Sequence, residues 1–107
     1  MVTEKLTNQV RRKLNITWND PETDARVAQI IEDAIPYLLH KLGIRDPEFD
    51  FSAPGTENTL FKACCLYEWN HASRDEFEEN YHGTIGDVQR QNDVKYYLAE
   101  QEAGADE

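Results

Sequence analysis

Between Pro21 and Leu42, apolar side chains at Val27, Ile30, Ile31, Ala34, Ile35, Leu38, Leu39 and Leu42 recur at steps of three and four, and no other feature constrains the chain as much. At 3.6 residues per turn this spacing draws one apolar stripe along about six turns of α-helix. Asp20 offers a side-chain acceptor just ahead of it, Pro21 sits at the first helical position where a missing N–H is harmless, and Glu22 lies near the positive end of the dipole. Gly43 then supplies the left-handed residue that ends the helix. Pro36 falls inside the run, where it removes one backbone hydrogen bond and crowds the carbonyl of Glu32, so a kink or a split is expected. The stripe needs cover, and the rest of the chain has to supply it.

Leu6, Val10 and Leu14 repeat every four residues while Lys5, Arg11, Arg12 and Lys13 occupy other faces, which predicts a short amphipathic helix over 3–14. From Thr56, residues Leu60, Phe61, Ala63, Cys64, Tyr67 and Trp69 are apolar over so wide an arc that this helix is expected at the centre of the core. Ser73-Arg74-Asp75-Glu76 is a capping box, opening a fourth helix that turns Phe77 and Tyr81 inward and stops near Gly83. Residues 44–55 carry Pro47, Pro54 and Gly55 with Phe49 and Phe51 in alternation, an irregular loop with room for a short extended stretch. Residues 84–98 fit two patterns: Val94, Tyr96 and Leu98 alternate as in a strand, whereas Val88, Gln91, Lys95 and Leu98 share a helix face. The expected fold is all-α, a small bundle of about four helices. A long loop separates helices 2 and 3, and an extended or partly helical C-terminal arm follows. Residues 1–83 form the domain, 84–98 the arm, and 99–107 a disordered acidic tail, since this last stretch holds Glu100, Glu102, Asp106 and Glu107 with no base and no bulky apolar residue.

Charge decides which partners the chain suits. Eleven Lys and Arg stand against 21 Asp and Glu, a net charge of -10, whereas an autonomous duplex-DNA binder presents a basic face to phosphate. The imbalance lies mostly after residue 53, so any basic patch must sit near Lys5, Arg11, Arg12 and Lys13. Leu, Ile, Val and Phe together supply only 23 of 107 residues, so the core is small and help from a partner surface is expected. No apolar run approaches the ~18 residues that span a bilayer, and the N-terminus lacks a basic-then-apolar leader, so a soluble, unsecreted protein is expected. Cys64 and Cys65 are adjacent and close no loop, which suits a reducing cytoplasm.

The chemistry-bearing residues do not assemble into a catalytic pattern. His71 with Asp75, and Glu78 with His82, have four-residue spacing, but the capping box at Ser73 breaks the helix between the pairs and a zinc site wants three or four ligands. Cys64 and Cys65 have Ala63, Leu66 and Tyr67 for neighbours, a setting for packing rather than thiolate chemistry. There is no Gly-x-Gly-x-x-Gly, Walker or Gly-x-Ser-x-Gly element. Neither an enzyme nor a cofactor is expected. The bulky cluster of Tyr96, Tyr97 and Leu98, just before an acidic end, fits back-packing onto the domain and docking on a partner equally well, and if extended it could add to a neighbour's sheet edge.

The order of these segments resembles the head-tail connector, or adaptor, proteins of tailed phages and prophages. Leu6-x-x-x-Val10-Arg11-x-x-Leu14-Asn15-Ile16 is similar to the opening helix and short turn of that family, and acidic Asp20 to Asp24 to its lead into the second helix. Val27-x-x-Ile30-Ile31-x-x-Ala34-Ile35 with Leu42-Gly43 is similar to its long helix. Leu66-Tyr67-Glu68-Trp69-Asn70-His71-Ala72-Ser73-Arg74-Asp75-Glu76-Phe77 is similar to its aromatic helix end, turn and restart. The resemblance covers residues 3–83, while Pro36 and the loop at 44–55 depart from the pattern. It implies a structural virion protein at the head-tail interface, assembled in the host cytoplasm. About a dozen copies would form a ring below the portal protein, extend the DNA channel and meet a tail-completion protein. It further implies a channel loop at Arg45, Asp46, Glu48, Phe49, Asp50 and Phe51, portal contact through Val94, Tyr96, Tyr97 and Leu98, and subunit contact through Arg11, Arg12 and Lys13. DNA would slide past such an acidic ring without tight binding, repelled over a Debye length of ~8 Å. The same repulsion favours a monomer when the chain is free.

Two other classes fit parts of the sequence. An acidic regulator or DNA mimic would bind a host DNA-binding protein through its carboxylates. A helix-turn-helix regulator would need helices 2 and 3 joined by a three- to four-residue turn, and residues 44–55 are far longer.

Overall fold

A computed structural model describes residues 2–105 of the chain, with side chains from 2 to 101. Side-chain acceptors open three of its helices. Thr3 Oγ1 accepts the Leu6 N–H at 3.1 Å at the head of α1 (Glu4–Lys13), Asp20 accepts the Thr23 N–H at 3.3 Å at the head of α2 (Pro21–Lys41), and Ser73 Oγ accepts the Glu76 N–H at 3.1 Å at the head of α4 (Arg74–Asn80). Helix α3 (Thr56–Trp69) follows Gly55 without a side-chain cap, and α5 (His82–Ala105) follows α4 after the single residue Tyr81.

Three helices end in the same way, with a left-handed residue and a pair of backbone bonds that satisfy the last carbonyls. After α1 the residue is Asn15 (φ 59°), with Ile16 N–H donating to Arg11 O at 2.9 Å. After α2 it is Gly43 (φ 70°), with Ile44 N–H on Leu39 O at 2.9 Å, and after α3 it is His71 (φ 60°), with Ala72 N–H on Tyr67 O at 2.9 Å. The residue that follows drops back to the body in the first two cases, where Ile16 and Ile44 are buried.

Helix α3 is the central helix, packed against each of the other four. Its Leu60, Phe61, Ala63, Cys64 and Cys65 meet Leu6, Val10 and Leu14 of the first segment, Val27, Ile31, Ala34 and Leu38 of α2, and Phe77 of α4 in one buried cluster. Phe51 stacks on Phe61 at 4.8 Å, and Phe77 lies 5.7 Å from Tyr67 and 5.2 Å from Tyr81, so aromatic rings fill what the scarce aliphatics leave open.

The fold is all-α, with five helices and no strand among the described residues. The structure resolves or corrects several expectations. Residues 84–98 are helical throughout, and the helix continues to Ala105 where a disordered tail was expected from residue 99; residues 106 and 107 of that tail lie outside the described residues. Gly83 does not stop a helix but falls in the first turn of α5, because Tyr81 already ends α4. Residues 44–55 carry turns at 47–48 and 51–52 and no strand. Helix α2 is not split at Pro36 but runs through it as one 21-residue element: Pro36 and Glu32 both face solvent, so the carbonyl that loses its N–H partner is free to meet water.

Ile85 and Val88 join the core, so the first half of α5 belongs to the body rather than to a separate arm. Its second half projects. The radius of gyration is 15.7 Å against about 13 Å for a compact chain of this length, and the long axis reaches 56 Å against 28 and 19 Å across.

Candidate functional site

The projecting helix is attached by polar bonds to the end of α2. Gln89 Nε2 donates to Lys41 O at 2.6 Å and Asn92 Nδ2 to Leu42 O at 2.8 Å, satisfying carbonyls that a helix C-terminus leaves without partners. One turn on, Tyr96 Oη accepts the Arg45 N–H at 3.0 Å and the Arg45 guanidinium lies 4.6 Å from the Tyr96 ring centre. Arg45 Nη1 also reaches Glu100 at 2.9 Å.

This attachment divides the four residues expected to contact a portal. Tyr96 faces the body and is engaged. Val94, Tyr97 and Leu98 point away and are 57, 59 and 54% exposed. Their spacing of three and four residues places them on one face of α5, a continuous apolar strip. Trp18 and Val2 are the other exposed large apolar residues among those described, and each stands alone in sequence.

The loop after α2 is built from turns closed by its own acids. Asp46 accepts the Glu48 N–H at 2.9 Å, and Asp50 accepts both the N–H and the hydroxyl of Ser52, which holds the Asp50 carboxyl below its ordinary value of 3.8. Of the residues expected in a channel loop, Arg45, Asp46, Glu48 and Asp50 are exposed. Phe51 is not available for that role: it is 1% exposed, anchored on Phe61, with Phe49 half-buried edge-on against it at 5.0 Å. A polar hub below holds the loop. Asn58, buried in the first turn of α3, donates to Phe51 O at 2.7 Å and to Gln9 Oε1 at 2.8 Å, while Gln9 Nε2 donates to Ser52 O at 3.0 Å. The sequence reading missed this hub, because Asn58 sits among Thr56, Glu57 and Thr59 and looks like one more solvated residue.

The basic triplet divides as well. Arg11 is spent within the chain: its guanidinium binds Asp24 at 2.6 Å, Asn19 Oδ1 at 3.3 Å and the carbonyl of Trp18, and its side chain is only 15% exposed. It joins α1 to the first turn of α2 and is not free for a neighbour. Arg12 and Lys13 are exposed, and Lys62 of α3 comes beside them, a third cation that no local pattern in the sequence points to.

Two further polar sets complete the inventory. Tyr37 Oη donates to Glu78 at 3.0 Å and Lys41 pairs with the same carboxylate. Burial, reinforced by the Glu78 carboxylate, raises the Tyr37 phenol well above its ordinary value of 10.0, and the Lys41 bond, with that of Tyr37, lowers Glu78 below 4.5. Burial pushes the Cys64 thiol up to about 12 and raises Cys65 as well, so both are protonated at neutral pH. Among the described residues no three His, Cys, Asp or Glu side chains group as metal ligands, and no helix is long and apolar enough to cross a membrane.

No family model, no curated protein and no solved structure matches this chain.

Proposed function

We propose that the chain is a structural connector of a tailed phage or prophage virion, forming a ring of about a dozen copies below the portal protein and presenting a surface to a tail-completion protein. The observation that carries this reading is the apolar strip of Val94, Tyr97 and Leu98 on a helix that stands out from the body, an arrangement suited to docking rather than to folding. The acidic turns at Asp46, Glu48 and Asp50, held rigid from below by Asn58, suit a channel wall that lets DNA slide without gripping it. With a net charge of -10 the free chain stays monomeric, and the portal supplies the template for the ring. The work is mechanical, without catalysis or cofactor, at the head-tail interface after assembly in the host cytoplasm.

The experiment is to mix the chain with the portal protein encoded by the same genetic element and image the isolated complexes by electron microscopy. An added ring of density under the portal, with countable subunits, is the expected result. A correctly folded portal that gains no density overturns the connector reading. The net charge would then favour the acidic-regulator reading, tested by competition with DNA for a host DNA-binding protein.

A further inference from the structure

Arg12, Lys13 and Lys62 line one groove of about 440 Å³ between α1 and α3, beside Gln9. Among the described residues none of the three has a carboxylate within ion-pair distance, although acids outnumber bases by 21 to 11. Arg12 and Lys13 answer the negative end of the α1 dipole. Lys62 lies mid-way along α3 and answers no helix end, so its place beside two like charges adds repulsion that no ion pair among the described residues relieves. Such a groove fits an acidic ligand.

The chain itself ends in one. Residues 99–107 contain Glu100, Glu102, Asp106 and Glu107 with no base, and α5 carries residues 99–105 of this stretch out past the C-terminal end of α2, where Arg45 holds Glu100. The groove lies toward the other end of α2, since Arg11, next to Arg12, binds Asp24 in the first turn. From Asp24 to Lys41 the helix rises about 25 Å, so Glu100 and the end of α5 lie away from the groove of their own molecule.

We propose that the groove takes the acidic C-terminal segment of a second copy of this chain, so that copies associate head to tail. A contact between two different patches is heterologous and closes into a ring when the rotation between copies allows. Exposed ion pairs are weak and screened by salt, so the contact holds where copies are already concentrated, as on a template. The proposal rests on the connector reading for ring closure only; the contact itself is weak, so the dilute free chain sediments as a monomer while an excess of the acidic peptide still occupies the groove. A nucleic acid is the less favoured occupant because the net charge opposes its approach.

The test uses a fluorescent peptide of residues 99–107 with the full-length protein, read by anisotropy at low salt, and sedimentation velocity of the protein alone. The peptide is expected to bind, each of Arg12→Glu, Lys13→Glu and Lys62→Glu to weaken it roughly fivefold, and high salt or the triple variant to abolish it. Arg12 and Lys13 are exposed and Lys62 is half-buried, so the milder Lys62→Gln serves if its reversal perturbs folding. Absence of peptide binding, binding undiminished in the triple variant, or an oligonucleotide held in place of the peptide overturns the proposal. A triple variant that still forms a ring under the portal also sinks it while leaving the connector reading standing. Peptide binding without any portal complex does the reverse.

Discussion

Arg45 and Tyr96, 51 positions apart in sequence, are joined through a backbone N–H on the phenol oxygen at 3.0 Å and a guanidinium 4.6 Å from the ring centre. This contact fixes the rotation of α5, so the neighbouring Val94, Tyr97 and Leu98 face outward. Removing it in Tyr96→Ala is expected to release the second half of the helix: amide exchange beyond Asn92 should speed up by about tenfold, the equivalent of one lost hydrogen bond with its packing, while amides near Val88 keep their protection. Unchanged exchange beyond Asn92 would mean that Gln89 and Asn92 hold the helix without Tyr96.

Asn58 carries the loop. Asn58→Ala leaves the buried Phe51 carbonyl and the half-buried Gln9 side-chain oxygen without their donor, and urea unfolding is expected to show a loss of about 1–3 kcal/mol. Limited proteolysis should then cut between residues 45 and 55 before any other region. A loss under about 0.5 kcal/mol would show that water replaces the amide at no cost.

Gly43 and His71 occupy the same backbone conformation with opposite fitness for it. A Cβ at Gly43 meets nothing closer than Asp93 Oδ1 at 3.9 Å, so Gly43→Ala is expected to cost the left-handed penalty alone, about 1–2 kcal/mol. His71→Gly relieves that penalty but gives up the contact of His71 Nε2 with Arg26 at 3.2 Å, so a smaller gain, about 0.5 kcal/mol, is expected in thermal unfolding.

How much of this was legible in the sequence follows from the range of the interactions. Asp20 with Pro21, Ser73, and Gly43 announce helix ends because each acts on backbone within four residues, and all three stand where their chemistry puts them, although of the capping box at Ser73 only the Ser73 Oγ bond to the Glu76 N–H forms. Asn15 and His71 do the work of Gly43 without its identity, which leaves no local mark. Residues 84–98 stayed ambiguous because Val94, Tyr96 and Leu98 satisfy both periods. The helix is chosen by partners 48 to 51 positions away, at Lys41, Leu42 and Arg45. Phe51 was misread for the same reason: its alternation with Phe49 is local, whereas its burial depends on Phe61 and Asn58. The groove of Arg12, Lys13 and Lys62 joins residues from two helices and is a product of packing alone.

Acid should reveal the network of Tyr37, Lys41 and Glu78. The Glu78 carboxyl lies below its ordinary value of 4.5 in the folded chain, so its contribution to stability is present above that value and disappears as pH falls through the lower, folded one. Thermal unfolding followed from neutral pH downward is expected to lose stability below about pH 4.5, with a shallower decline in Glu78→Gln. Partial exposure of both Lys41 and Glu78 keeps the effect small, under about 1 kcal/mol at neutral pH. Identical acid limbs in the two proteins would assign the decline to other carboxylates.

The apolar strip separates docking from folding most cleanly. Replacing Val94, Tyr97 and Leu98 together by Ser removes three side chains that are each more than half exposed, so helix content and unfolding free energy are expected to stay within about 0.5 kcal/mol of the parent. Tyr96 is left in place because its removal would disturb the attachment to Arg45 and confuse the two effects. If the strip docks on a portal, the triple variant fails to add a ring while circular dichroism remains that of the parent. A variant that loses helicity would show instead that the strip supports the second half of α5 within the chain. One that folds and still forms the ring would move the portal contact elsewhere, with the exposed Trp18 the next surface to substitute.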